Sequence, residues 1–258
     1  MGAQSVPSDS TPAAKPPAAF SMTETRRFAI VAALGGITYL ADQEARDAVR
    51  TAGLQQNAVL DGIAEFGNAW GQPGVVGLGF AMWGGGLITK KPTVAAAGLR
   101  AVEALTVSGT VTSVLKMAFG RARPFLSPTA PDQFKFGRGA EYSDGRYSAM
   151  PSGHATAAFA FASAVTGEVK LRAPEHARAV GLLTYGAAVM TSYARMHDDR
   201  HWLSDVTVGA GIGTVTGWAI TRWHATRPDN PIDRVLLRPV LAPSPYGGMQ
   251  IGVTLLTR

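Results

Sequence analysis

The sequence predicts an all-α fold: a helical bundle of about six to seven helices, followed by a short C-terminal β-hairpin. Three observations carry that prediction. Uncharged runs rich in Ala and Gly recur along the chain, and prolines, glycines and charge clusters separate them. Residues suited to helix starts head several of these runs: Ser21 with Glu24 three residues on, Pro92, Ser152 and Pro174. The alternation of a strand occurs only near the end, at Met249, Ile251, Val253 and Leu255.

Composition narrows the class. The chain has 258 residues, enough for a full core, and 46% are hydrophobic, which excludes a disordered chain. It carries 24 Lys and Arg against 18 Asp and Glu, a net charge of +6. That balance suits an anionic substrate or an anionic membrane surface. With no cysteine, disulfides, thiolate nucleophiles and Cys-ligated zinc are excluded. A membrane-spanning helix needs about 20 mostly apolar residues. Only 66–89 offers an uncharged run of that length, and it contains Asn68, Gln72, Pro73 and many glycines. Mean hydropathy is +0.08, low for several spans. A soluble or peripheral protein is therefore expected over a multi-span integral one.

Taken in order, residues 1–20 are rich in Pro, Ala and Ser and read as a disordered linker, with no charged segment and apolar run of a signal peptide. Residues 21–228 form the helical domain. One helix is expected from Met22 to Thr51, its second half amphipathic, and a short one over 57–69. Gly71-Gln72-Pro73-Gly74 is a break, after which an apolar, Gly-rich helix reaches Thr89. Pro92 opens the next helix, which runs to about Gly120 and is stopped by Pro124. A long loop, 125–150, holds Tyr142, Tyr147 and Met150; a loop of this length is usually functional. Helices follow over 153–169, 174–196 and 201–222. The tail, 229–258, is read as extended, with a turn at Pro243–Gly248.

Three stretches carry chemistry. In a helix, His201 and Asp205 share a face, so the carboxylate can hold one imidazole nitrogen and leave the other free to attack; Arg195 upstream can hold an anion in front of it. Lys116 and Arg123 stand seven apart, two turns, on one face. Ser152 takes an N-cap position, so free N–H groups and the positive helix end meet its hydroxyl and His154, an anion site with a proton donor beside it. Each stretch alone also fits a plain reading: a salt-bridged helix end, a basic helix C-terminus, and an ordinary cap. His197 and His201 are four apart, a spacing that can hold a metal.

Together, Lys116-x6-Arg123-Pro124, Pro151-Ser152-Gly153-His154 and Arg195-x5-His201-x3-Asp205 resemble the three motifs of the type 2 phosphatidic acid phosphatase superfamily, over about residues 92–222. The resemblance implies helices that bring the three motifs to one phosphate pocket, and a metal-independent reaction through a phosphohistidine. It makes His201 the nucleophile, Asp205 its orienting partner and His154 the general acid. Lys116, Arg123 and Arg195 clamp the phosphate, with the Ser152 hydroxyl and the Gly153 N–H. It assigns no metal and no other cofactor, and gives His197 no role. One departure is visible: the third motif usually begins Ser-Arg, and here Ala194 precedes Arg195, which removes a supporting hydroxyl. The chemistry is coherent by itself, since fixed cations stabilise a transferring phosphoryl group and a positioned acid helps a poor leaving group depart.

The expected substrate is a phosphorylated lipid or small soluble molecule, with peripheral membrane contact and no nucleic acid. The resemblance places such an enzyme in the periplasm or at the outer face of a membrane. Two alternatives come from other classes. A vanadium-dependent haloperoxidase would hold vanadate in the same residues, and a non-catalytic phosphate- or lipid-binding protein would keep the pocket without turnover.

Overall fold

The computed structural model describes residues 22–141, 144–237, 240–243 and 249–252. The linker over 1–20, Ser21, Tyr142 and most of the turn expected at 243–248 lie outside them. Among the described residues there are ten α-helices, more than the six to seven expected, and two short strands.

The expected first helix is three: α1 (Met22–Tyr39), α2 (Asp42–Val49) and α3 (Ala52–Gln55). Hydrogen bonds from Leu40 N to Ile37 O and from Ala41 N to Thr38 O tighten the end of α1 into a turn. The turn delivers the Asp42 side chain to the interior, where no surface remains exposed and Arg121 and Ser204 satisfy it. A straight helix would leave no such partner in reach, so long-range pairing overrides the local pattern.

Asn57 caps α4 (Ala58–Ala69) by accepting from Val59 N and Leu60 N. The break expected at 71–74 is a π-helical turn, Trp70–Gly74, kinked at Gly71 (φ −49°, ψ −141°) and joining α4 to α5 (Val75–Ile88). The run over 66–89 is therefore not one straight span. The helix long and apolar enough to cross a membrane, among the described residues, is α6 (Pro92–Phe119), whose apolar window is half buried. Pro92 sits in its first turn, and Gly120, at φ 53°, ends it four residues before Pro124.

Next come α7 (Gly153–Arg172), α8 (Pro174–His197) and α9 (Leu203–Ala225). The last begins two residues later than expected, leaving His201 in the loop before it. Residues expected to be extended after Pro228 begin with a short helix, α10 (Pro231–Leu236), because Asn230 caps Asp233 N and Pro231 occupies the first turn. Strands β1 (Val240–Pro243) and β2 (Met249–Gly252) pair antiparallel. At this end of the bundle a buried cluster fastens α10. Arg100 meets Asp233 at 2.7 Å, His224 meets Glu103 at 2.7 Å, and Trp83 Nε1 donates to Leu236 O.

Helix α7 is the centre of the bundle and packs on α6, α8 and α9; α1 lies on α9, α4 on α8 and α5 on α6. Its inward positions are mostly Ala, with Phe161 and Val165 reaching Val75, Ala97 and Ala101. Small residues let backbones touch. A Cβ added at Gly213 of α9 would lie 2.3 Å from Thr156 O and 2.7 Å from Ala160 N of α7. A second core layer holds Val31, Val208, Ile212 and Val215, with Phe28, Leu115 and Met150 against it. Met150 of the long loop, itself half-buried, thus packs against the core.

Gly213→Ala should force α7 and α9 apart and destabilise the fold by about 1–3 kcal/mol, the usual cost of overpacking. A denaturant midpoint equal to that of the wild type would refute the backbone contact.

Candidate active site

The three motifs meet where α6, α7, α8 and α9 end or begin. Lys116 is in the last turn of α6, and its ammonium donates to Ser148 O. Arg123 follows the Gly120 turn. Its Nε donates to Gly145 O at 2.9 Å and its Nη2 to Ser148 Oγ at 3.2 Å. Ser148, which the sequence did not single out, therefore organises both cations, and its own hydroxyl donates to Gly145 O. Ser152 takes the N-cap of α7, as expected; its N–H donates to Asp205 O, which ties the start of α7 to the start of α9. Gly153 and His154 form the first turn of α7. The π-helical turn lies against His154 so closely that a Cβ on Gly71 would sit 2.6 Å from the ring.

Arg195 is in the last turn of α8. Its Nη1 donates to Asn68 Oδ1 at 2.6 Å, while Asn68 Nδ2 donates to Asp198 Oδ2 at 2.7 Å. Arg195 Nε is buried with no partner among the described residues. The loop between α8 and α9 is held from α2: Arg46 grips Asp199 with two bonds of 2.7 and 2.9 Å, and Arg50 donates to His197 O. His201 and Arg200 N–H groups both donate to Arg195 O.

His201 is buried, and its Nδ1 lies 3.5 Å from Asp205 Oδ2, an ion-pair separation rather than a formed hydrogen bond. The pair is not aligned by a shared helical face, as the spacing suggested, since His201 precedes α9. Asp205 is placed by two other bonds. Its Oδ2 caps α9 by accepting from Trp202 N, and its Oδ1 accepts from Arg121 Nη1 at 2.7 Å.

Arg121 has no exposed surface, and all five of its N–H groups are used. Nε and Nη2 donate to Pro131 O, Nη2 also to Asp42 Oδ2, and Nη1 to both Ser204 Oγ and Asp205 Oδ1. Tyr39, Phe134 and Trp202 rings surround it at 5.1–5.5 Å. Sequence reasoning passed over it between Lys116 and Arg123. Its position just after a left-handed glycine in the same basic run is the one signal available.

Electrostatics mark the space between these groups as short of negative charge. Burial and then Arg123 push Lys116 down to about 7. Burial, Arg195, Arg123 and Lys116 push His154 down to about 4. Burial and Lys116 hold the His201 ring well below its ordinary value, and burial and Arg195 bring Arg123 to about 10. Asp205 is pushed up by burial while Arg121 pulls the other way. The expected residues thus act on one another, and the arrangement can hold a tetrahedral oxyanion in front of an imidazole. His197 turns elsewhere: its ring faces Asp61 Oδ1 at 3.3 Å and Asp198 Oδ1 at 3.4 Å, and it shares no centre with His201.

A family model described as PAP2 superfamily matches residues 97–229. A lipid A 1-phosphatase from Porphyromonas gingivalis is 31% identical over 113 residues, which are 44% of this chain and 20% of that protein. The chain thus spans about a fifth of the length of that curated relative. Among solved structures, a transmembrane PAP2-type phosphatidylglycerolphosphate phosphatase from Bacillus subtilis matches with a TM-score of 0.55 at 20% identity. The match covers 77% of this chain and 92% of that one, a likeness of fold.

Arg121→Met should cost about 3–5 kcal/mol in urea unfolding, because two buried carboxylates lose their common partner; adding Asp42→Asn should recover part of the loss. Sulfate, which carries no proton of its own near neutrality, should bind with uptake of protons. An anion raises the depressed Lys116 and His154 values, so affinity should rise as pH falls through neutrality and on towards about 4. Calorimetry in two buffers of different ionisation heat measures the uptake, and equal heats would contradict it.

Proposed function

The chain belongs to the PAP2 superfamily, and on that premise we propose that it is a metal-independent phosphatase acting through a phosphohistidine. The observation that carries this reading is the buried His201–Asp205 pair beside Lys116, Arg123 and Arg195.

The chemistry follows from the positions. The phosphate oxygens rest against Lys116, Arg123, Arg195, the Ser152 hydroxyl and the Gly153 N–H. The free nitrogen of His201 attacks phosphorus in line with the departing oxygen, while Asp205 orients the ring from the other side. His154 gives its proton to the leaving alkoxide as the ester bond breaks. Water then attacks the phosphohistidine, His154 takes the proton back, and inorganic phosphate leaves. Burial, with the three cations, keeps His154 neutral; a substrate dianion offsets the cations and restores its proton. Arg121 neutralises one of the two carboxylates it binds, which leaves one net negative charge to stabilise the His201 ring as it becomes cationic.

The substrate class is a phosphate monoester or diphosphate, and a lipid phosphate is favoured over a small soluble ester. Both relatives named above act on lipid phosphates by their descriptions. Ile30 and Ile37 on α1 and Leu182 and Leu183 on α8 are each more than half exposed, an apolar flank suited to contact with lipid. The proposed place of work is the outer, periplasmic face of a membrane.

Hydrolysis of p-nitrophenyl phosphate should persist in excess EDTA and fall by about 10³-fold or more in His201→Ala. Turnover that vanishes with EDTA, or that survives the substitution, would sink the mechanism.

A further inference from the structure

An amide stands between Arg195 and a carboxylate. Asn68 Oδ1 accepts from Arg195 Nη1 at 2.6 Å, and Asn68 Nδ2 donates to Asp198 Oδ2 at 2.7 Å. A guanidinium only donates and a carboxylate only accepts, so the Asn68 amide can face one way only. Asp198 Oδ2 itself lies 3.9 Å from Arg195 Nη1, too far for a hydrogen bond but close enough to become one by a small rotation.

The other oxygen of Asp198 faces His197, the histidine to which the three motifs give no role. His197 Nδ1 lies 3.4 Å from Asp198 Oδ1, and its Nε2 lies 3.3 Å from Asp61 Oδ1. The ring is buried and has little freedom to turn. Asn68 is fixed as firmly. A Cβ on Gly67 would lie 2.5 Å from Met190 O and 2.9 Å from Ala194 Cβ, and Thr191 Oγ1 donates to Gly67 O at 2.9 Å. Helices α4 and α8 therefore touch next to both Asn68 and Arg195.

This anchoring decides which edge of the guanidinium is offered. With Nη1 engaged, Nε is buried without a partner, and no bond engages Nη2 among the described residues. Nε and Nη2 form an edge that can hold two oxygens of one oxyanion. The charge of Arg195 acts on Lys116, Arg123, His154 and His201, which places that group at the phosphate space. An aspartate at 68 would grip Nη1 and also cancel the charge; the amide grips it and leaves the charge in place.

We propose that Asn68, Asp198 and His197 are positioning residues for the phosphate clamp. Asn68 turns Nε and Nη2 of Arg195 towards two oxygens of one phosphate and holds off Asp198, which His197 steadies by its other oxygen. The inference rests on the phosphatase reading and deepens it: Asp198 is a built-in competitor for the cation that phosphate needs.

The test is calorimetric titration of the full chain, in detergent micelles, with inorganic phosphate. Asn68→Ala should weaken binding about tenfold as Arg195 closes on Asp198. Asn68→Asp, of the same shape, should weaken it about thirtyfold, because a carboxylate then sits on the guanidinium. Adding Asp198→Ala to Asn68→Ala should bring the affinity back to within about threefold of the wild type, since the competitor is gone. His197→Ala should cost about threefold, and that loss should disappear when Asp198→Ala is added. A merely structural contact would be damaged further, not repaired, by the second truncation. A double variant that binds no tighter than Asn68→Ala, or wild-type affinity in Asn68→Asp, would overturn the positioning role. The titration needs no turnover. Absence of p-nitrophenyl phosphate hydrolysis by the wild type, with the pattern of affinities as stated, would overturn the phosphatase reading alone.

Discussion

A guanidinium buried without exposed surface must spend every donor inside the protein, and Arg121 does so on groups from three separate parts of the chain. Asp42 comes from the start of α2, Pro131 from the long loop, and Ser204 and Asp205 from the first turn of α9. The site's architecture depends on this satisfaction. It breaks the first helix at Leu40, fixes the start of α9, and holds the carboxylate that faces His201. A lysine could not replace it, because one point charge with three donors cannot bond four acceptors spread over a plane.

Around this anchor the bundle sets helix ends against one another. The C-terminal turns of α6 and α8 bring Lys116 and Arg195, and the N-terminus of α7 brings free N–H groups. The hydrogen bonds that hold the cations go to neutral acceptors: Ser148 O for Lys116, Gly145 O and Ser148 Oγ for Arg123, and Asn68 Oδ1 for Arg195, which also has Asp198 at 3.9 Å. Neutral tethers orient a charge without cancelling it. The surplus shows in the depressed values of Lys116 and His154, and it is what makes the space attractive to a dianion.

What could be read from the sequence is what acts over short range. The basic run at 116–124, the Ser152 cap and the spacing in 195–205 are local patterns, and the helical class follows from breaks and caps. The supports were not legible. Asp42 lies 79 residues from Arg121 and Asn68 lies 127 from Arg195, and neither carries a local mark of its partner. The run at 66–89 reads as broken at 71–74, and the structure agrees; what the sequence does not single out as long and apolar enough to span is the helix α6. The run is uncharged, but Gly71 and Pro73 kink it, whereas α6 keeps its length despite Arg100 and Glu103, whose charges find partners in the cluster with His224 and Asp233.

The contact of α7 with α9 is made by main chain rather than by interlocking side chains, as at Gly213 against Thr156 and Ala160. In evolutionary terms this seam has almost no room to drift. Packing elsewhere can answer a larger residue with a smaller neighbour, but Gly and Ala have no smaller neighbour to offer. The Ala- and Gly-rich wording of these two helices, which resembles low complexity on the page, is then the narrowest alphabet in the molecule. Exchange of side chains is left to exposed positions such as Val107 and Val114 of α6.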